Sequence, residues 1–444
     1  MSDSPVVVVG AGPVGLAAAA EAVDRGLPVL VLEQGANAGA AVAEWGHVRL
    51  FSRWGELVAP AARRLLERQG WRQPDPDAYP TGHDWAERYL RPLAAALGEI
   101  VRFGTEVVGV TRRGRDRAVD AGRDSEPLVV HVRTAQGESR LTARALIDAS
   151  GTWGSPNPLG GDGLPAVGET AAHDRITYRV PDLTDAAMAA RYTGRHVVVA
   201  GSGHSALTAL VTIAEQAERD PSTRITWLLR RDAVGAAFGG GEADQLPARG
   251  ALGMRAQRAV EAGSIEVLRG FRTEAVERDP AGRLSLRAST GQVLEAVDEV
   301  VAVTGFRPEL SWLSELRLAL DTTLQAPVAL APLVDPNVHS CGTVYPHGAA
   351  ELAHPEPGVF LTGMKSYGRA PTFLAMTGYE QVRSVVAALA GDRDSAERVE
   401  LVLPETGVCG GAGLAAEPAA ADDEGCCGSP AGSQAVSLSA PAAR

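Results

Sequence analysis

Residues 5–15 read PVVVVGAGPVG, and the reading of this stretch decides the fold. The Val-rich run 5–10 reads as a buried parallel strand. Gly10, Gly12 and Gly15 follow at the spacing G-x-G-x-x-G, and the Ala-rich stretch 16–23 contains no helix breaker. A second apolar strand occupies 28–32 and is closed by Glu33. Strand, glycine turn, helix, strand and acid are the parts of a βαβ unit that holds a dinucleotide. The first glycine permits the tight turn, the second lets a diphosphate approach the backbone, and the third allows the helix to pack against the strand. The diphosphate then rests on the free N–H groups at the helix start. Glu33 is placed to accept from a ribose hydroxyl.

Working outward, the same plan returns in the middle of the chain. Residues 196–200 read as a strand, and Gly201-Ser202-Gly203-His204-Ser205-Ala206 repeats the turn with Ala206 in the third glycine's place. A helix follows over about 206–217. The strand 225–229 then ends in Arg230 and Arg231 rather than in an acid. A guanidinium there pairs with a 2′-phosphate, which favours NADPH over NADH. The alternative is a solvated strand end in an Arg-rich chain. Residues 101–147, with turns at Gly104, Gly114, Gly122 and Gly137, read as a β-meander. Short strands at 265–268, 273–278 and 284–288 repeat it, and 299–303 ends in Thr304-Gly305. One supersecondary plan is therefore used twice. Further helices are predicted at 61–69, 84–97 and 373–389, and an irregular connection at 152–192. The expected fold class is α/β, with two Rossmann-like dinucleotide-binding domains. Residues 1–165 and 306–400 form the first domain, and 166–305 form a second domain inserted into it. The Gly-, Ala-, Ser- and Pro-rich residues 401–444 are expected to be a disordered C-terminal tail.

The chain has 444 residues and a net charge of -12 without a basic run, which argues against a nucleic-acid partner. No stretch approaches about 18 apolar residues, so no membrane span is expected. The polar N-terminus lacks the regions of a signal peptide, so the expected location is cytoplasmic. Of 42 Lys and Arg residues, Lys365 is the one lysine. The four cysteines are Cys341, Cys409, Cys426 and Cys427, and no C-x-x-C or comparably spaced pair lies in either nucleotide-binding region. Chemistry by a dithiol within those regions is thereby disfavoured. Cys426 and Cys427 are neighbours, for which a disulfide is strained, whereas their thiolates with that of Cys409 suit a soft metalloid ion. The alternative is incidental cysteine in a disordered tail. His347, in a Gly/Pro-containing loop with Tyr345 and Cys341, is a candidate acid–base group, with an ordinary structural role as its alternative.

The two turns and Thr304-Gly305, together with residues 168–178 (GETAAHDRITY), resemble the flavin-containing monooxygenases and their N-hydroxylating and Baeyer–Villiger relatives. Residues 47–54 (HVRLFSRW), 79–93 (YPTGHDWAERYLRPL) and 358–383 (GVFLTGMKSYGRAPTFLAMTGYEQVR), with the Cys-bearing tail, more specifically resemble flavoproteins encoded in bacterial arsenic-resistance clusters. The resemblance implies FAD at the first turn and NADPH at the second. It also implies Gly363, Met364 and Lys365 near the flavin, with Lys365 a candidate catalytic cation and a phosphate contact or surface lysine as its alternatives. Arg49 and Arg53 are implied to run close by, with Arg49 a candidate FAD ligand. The implied activity is an NADPH-dependent FAD monooxygenase that passes one oxygen of O2 to a soft heteroatom of a small molecule, an arsenic compound being the first to test. Two alternatives stay open. One is a thioredoxin-reductase-like flavin reductase passing electrons to the tail cysteines or a partner. The other is a metalloid-binding, redox-sensing flavoprotein. The expected partners are a small-molecule substrate and molecular oxygen, and a homodimer is left open.

Overall fold

The computed structural model describes residues 4–401 apart from 233, 245, 339–346 and 371–372. The expectations for Cys341, Tyr345, Cys409, Cys426, Cys427 and the disordered tail lie outside the described residues.

Two parallel five-stranded sheets carry the fold, and four strands of each follow the same order. In the first sheet β1 (Val6–Val9) is central. Beside it lie β2 (Val29–Leu32) and β3 (Val101–Arg102) on one side, and β7 (Ala145–Asp148) and β16 (Val359–Leu361) on the other. In the second sheet β9 (His196–Ala200) is central, with β10 (Arg224–Leu228) and β11 (Glu266–Leu268) on one side and β15 (Glu299–Ala302) and β8 (Ile176–Thr177) on the other. Each has an antiparallel three-stranded companion inserted at the same point of the plan. These are β4 (Glu106–Arg112), β5 (Leu128–Thr134) and β6 (Gly137–Ala143) in the first half, and β12 (Thr273–Arg278), β13 (Leu284–Ala288) and β14 (Val293–Val297) in the second. All strands of the second sheet lie in sequence between β7 and β16 of the first.

The alternation of a strand explains the layering. Val6 and Val8 share a core with the helices Pro13–Asp24 and Ala375–Leu389, whereas Val7 and Val9 pack toward β4–β6. In the second half Val197 and Val199 face the helices His204–Arg219 and Pro247–Glu261, and Val198 and Ala200 face β12–β14. Parallel strands buried on both faces read as unbroken apolar runs, which is why β1 and β9 were legible in sequence.

The structure departs from the expected elements where tertiary contacts decide. The helix Pro247–Glu261 is absent from the sequence reading because Gly250 and Gly253 interrupt its pattern. A Cβ at Gly250 would lie 2.1 Å from the Gly241 carbonyl oxygen, and one at Gly253 1.8 Å from that of Phe238. Both glycines let the 235–243 loop press onto the helix, and packing outweighs their poor helix propensity. The helix expected at 84–97 runs from Gly82 to Leu97 with a widened π-turn at Ala86–Leu90. Pro92 has no N–H for the Arg88 carbonyl, and the Trp71 indole donates to that carbonyl instead, at 2.9 Å. The connection at 152–192 contains β8 and the helix Ala186–Tyr192. Among the described residues no helix is long and apolar enough to cross a membrane.

Candidate functional site

The first glycine turn has the shape of a diphosphate cradle. Gly10 has φ +100°, and a Cβ there would lie 2.8 Å from the Ala149 carbonyl oxygen. A Cβ on Gly15 would lie 1.9 Å from the Gly10 oxygen. Gly12 differs: its φ of -81° suits any residue, yet a Cβ would meet nothing within 4 Å. Two glycines are thus required by the protein, and the third keeps open the space at the start of helix Pro13–Asp24. No side chain caps that helix, so its first N–H groups remain available to an anion. Glu33 is buried, accepting from Ala11 N–H and Gly35 N–H, each at 2.7 Å. These bonds fix the carboxylate beside the cradle. The residues present fit the adenosine diphosphate half of FAD.

The turn after β16 closes on the same place. A Cβ at Gly363 would touch the Val14 side chain at 3.3 Å, so Gly363, with Met364 following it, abuts the start of the first helix. Gln381 clamps this turn. Its Oε1 accepts from Gly363 N–H at 2.8 Å, and its Nε2 donates to Ser366 Oγ at 2.9 Å and to His347 Nε2 at 2.8 Å. His347 is buried rather than set in an open loop, and its ring packs on Tyr367. Because its Nε2 accepts from Gln381, the imidazole helps hold the turn. Lys365 is fully buried, so it is not a surface lysine. Its Nζ lies 2.7 Å from Asp148 Oδ2, 3.1 Å from Ser150 Oγ and 4.7 Å from the centre of the Trp312 ring. Asp148 Oδ1 accepts from Ser150 N–H and Oγ. The lone lysine neutralises an acid beneath the first turn. Arg49 is exposed and donates to the Tyr79 carbonyl at 2.6 Å, and Arg53 reaches Asp77 and the Tyr79 hydroxyl. Both guanidinium groups are directed to the 77–79 loop.

The second turn repeats the first. Gly201 has φ +135°, and a Cβ there would lie 2.4 Å from the Val303 carbonyl oxygen, while Gly203 opens onto free space. Gly203 caps the helix start without a side-chain bond, and Ser205 is exposed in the first helical turn. Arg230 and Arg231 close β10 and run beside Arg272, since Phe271 N–H bonds to Leu229 and Gly270 N–H to Arg231. Desolvation, then the Arg231 and Arg272 charges, hold Arg230 below the usual arginine range. Three cations in mutual repulsion form a ready anion site. Arg272 was missed in sequence because only the pairing of strand ends brings it there. Thr304 and Gly305 lie beside this turn and also at the crossover between the halves. Thr304 Oγ1 donates to the Asn157 and Pro158 carbonyls, Asn157 N–H donates to the Gly305 carbonyl, and Phe306 stacks near Trp153. Within residues 168–178, Glu169 accepts from the N–H groups of Leu159, Gly160 and Ala166 and from the Tyr178 hydroxyl. That carboxylate holds the loop bordering a pocket of about 330 Å³ between Pro156, Tyr178 and Arg307.

A single segment spans the distance between the two cradles. Gly39 N–H donates to the Ala11 carbonyl, the helix Ala40–Glu44 follows, and Phe51 packs on His204, the first residue of the second helix, with ring centres 5.2 Å apart. Burial and the Arg249 cation hold the His204 imidazole down to about 4, hence neutral. Opposite this segment runs 179–182. Trp153 donates to Glu44, Arg179 lies over the Trp153 ring at 4.5 Å, and His47 faces Asp182.

With this geometry in view, the family of pyridine nucleotide-disulphide oxidoreductases matches residues 7–331. The chain belongs to this family. It is an FAD-dependent oxidoreductase that uses a pyridine nucleotide. It is similar to indole-3-pyruvate monooxygenase YUCCA1 of Oryza sativa subsp. japonica, with 32% identity over 203 residues. That match covers 45% of this chain, and the chain spans only 43% of the rice protein. It is also similar to ferredoxin–NADP reductase 1 of Cupriavidus necator, with 26% identity across 73% of this chain and 78% of that protein. Among solved structures, the bacillithiol disulfide reductase of Bacillus cereus shares the fold, with a TM-score of 0.63, 19% identity and coverage of 87% of this chain and 99% of that one.

Proposed function

We propose that this enzyme is an NADPH-dependent FAD monooxygenase that places one oxygen of O2 on a soft heteroatom of a small molecule. In this reading residues 1–165 and 306–400 hold FAD, and 166–305 hold NADPH. The observation that carries it is the pairing of two intact cradles with a complete absence of cysteine before Cys341. An enzyme with both cradles but no dithiol at either lacks a built-in acceptor within that region, which favours electron transfer to oxygen. The partial likeness to a monooxygenase of 32% identity supports the same direction. When bound, FAD accepts a hydride and passes electrons to oxygen. This chain's residues anchor the two diphosphates, and the Arg230, Arg231 and Arg272 cluster selects the phosphorylated coenzyme. An arsenic-bearing small molecule is the substrate to test first, because residues 47–54, 79–93 and 358–383 resemble the flavoproteins of arsenic-resistance clusters.

A second reading is favoured by the ferredoxin–NADP reductase likeness: a reductase that hands electrons to a partner or to Cys409, Cys426 and Cys427. One experiment separates the two. The purified chain is reduced anaerobically with NADPH and then mixed with oxygen and arsenite, and arsenate is counted per NADPH. Stoichiometric arsenate supports the monooxygenase. Hydrogen peroxide alone, with rapid turnover toward a ferredoxin or a thiol acceptor, supports the reductase. For the coenzyme, Arg230→Ala should raise the KM for NADPH about tenfold, equivalent to about 1.4 kcal/mol, and leave NADH kinetics nearly unchanged. An equal effect on both coenzymes would remove the phosphate role. The tail is tested by arsenite binding to the full chain and to one ending at Leu403, and equal binding removes the thiol site.

A further inference from the structure

The stretch that joins the two cradles holds a histidine that the fold leaves with an unused nitrogen. His47 Nδ1 faces Asp182 Oδ2 at 3.9 Å, and its other ring nitrogen, Nε2, is buried without a hydrogen-bond partner. The Arg179 Nε nearby is likewise without a hydrogen bond, with the Glu44 carboxylate 3.6 Å away. Such groups are rare in a folded interior and call for a physical reason. The register is regular: Glu44 and His47 on one segment meet Arg179 and Asp182 on the other. The 39–51 segment runs from Ala11 at the first turn to His204 at the second, and dinucleotides anchored at those turns have to bring their reacting rings into contact for hydride transfer. Asp182 is suited to orient a histidine. Its Oδ1 accepts from Thr184 N–H and Oγ1, which leaves Oδ2 directed at the ring. Its side chain is 40% exposed, so the pair reaches solvent at its outer edge.

We infer that His47 is the acid–base residue of the reaction gap, with Asp182 as its positioning residue, moving protons between solvent and oxygen through Nε2. This rests on the reading of the enzyme as an oxygen-using flavoprotein. The proton balance shows the need. Reduced flavin in its anionic form, plus O2 and one proton, gives oxidised flavin and hydrogen peroxide, two electrons passing from flavin to oxygen. With a substrate that accepts one oxygen atom, the other leaves as water, and the same single external proton is consumed. Protonated His47 supplies that proton and is recharged from solvent beside Asp182. The groups around it are Asp182 and Arg179 on the linker and Glu44 on the preceding helix. His83 at the next helix start lies against the adjoining Gly46, where a Cβ would meet the His83 Cβ at 3.3 Å, and Arg49 follows two residues on along the same segment. Burial opposes the Asp182 charge, but the Thr184 bonds and His47 hold its carboxyl below the ordinary aspartate value, so a carboxylate stands beside the ring.

The test uses the full chain loaded with FAD and reduced by dithionite, so that the electron source does not matter. Flavin reoxidation after mixing with oxygenated buffer is followed from pH 5 to 9. The native rate should fall as pH rises through one inflection. His47→Gln should lose at least tenfold at pH 6 and show no inflection. Asp182→Asn should move the inflection to lower pH, because the carboxylate that favours imidazolium is gone. NMR titration of the His47 ring in the FAD-free full chain should show the same downward move in Asp182→Asn, independent of any turnover. A His47→Gln profile matching the native one, or an Asp182→Asn inflection unmoved in both measurements, overturns the assignment. If NADPH fails to reduce the flavin while the His47 profile persists, the coenzyme reading falls and this one stands.

Discussion

Lys365 shows what a single residue costs and contributes. Its ammonium and the Asp148 carboxylate are both fully buried, 2.7 Å apart, with Ser150 and the Trp312 ring completing the enclosure. Burying two charges is expensive, and their attraction returns little beyond that expense, so the pair is weak evidence for net stability. Breaking it is another matter, since one charge is then left alone in a low dielectric. Lys365→Met should lower stability by about 3–5 kcal/mol, read as a lower urea midpoint. Combining it with Asp148→Leu should recover most of the loss. A double variant as unstable as the single one would show that the ammonium contributes by something other than neutralising Asp148. Sequence composition pointed to this lysine through its rarity, but not to its partner. Asp148 ends a strand 217 positions away, and only the β7–β16 pairing, with Leu361 opposite Asp148, brings the two together.

At the scale of the element, the two glycine turns separate what the protein needs from what a ligand needs. Gly15→Ala would push a Cβ into the Gly10 carbonyl oxygen, so folding itself should suffer by about 1–3 kcal/mol or more. Gly12→Ala meets open space in a backbone conformation that alanine adopts freely, and should lower FAD-free stability by no more than about 1 kcal/mol, the difference between glycine and alanine at a helix N-cap. Its effect should appear on FAD affinity, with at least about a tenfold loss by fluorescence titration. Gly203→Ala should act in the same way on the KM for NADPH. If Gly12→Ala keeps full FAD affinity, the diphosphate does not approach as the fingerprint implies. The motif spacing was legible because each glycine answers a local constraint. The Gln381 clamp was not, since its amide lies on another helix and reaches Gly363 only in the folded chain.

For the whole molecule, the contact of Phe51 with His204 ties the first half to the second cradle. Burial keeps His204 neutral, at about 4 against an ordinary value of 6.5, and buried His354 behaves likewise. A histidine whose folded pKa is depressed binds its proton more readily when unfolded. Its stabilising effect is therefore complete above pH 6.5 and is lost as pH falls toward 4. Stability measured by chemical denaturation should decline across that window. Phe51→Ala would hydrate His204, raise its pKa toward 6.5 in an NMR titration and shallow the decline. An unchanged titration would mean that the two halves are held apart from this contact in solution.

The sequence alone determined the fold class, the repeated βαβ plan and the place of both cradles. Each depends on local rules: apolar runs for buried parallel strands, glycines where backbone must approach backbone or phosphate, and acids or cations at strand ends. Tertiary structure decided the rest. It buried Lys365 against Asp148, turned Arg49 to the Tyr79 carbonyl, set His347 behind Gln381, and brought Arg272 to Arg230 and His47 to Asp182. The physical reason is common to all of these. Their partners come from strand ends and loops distant in sequence, and a side chain's charge and orientation are set by what the folded chain places beside it.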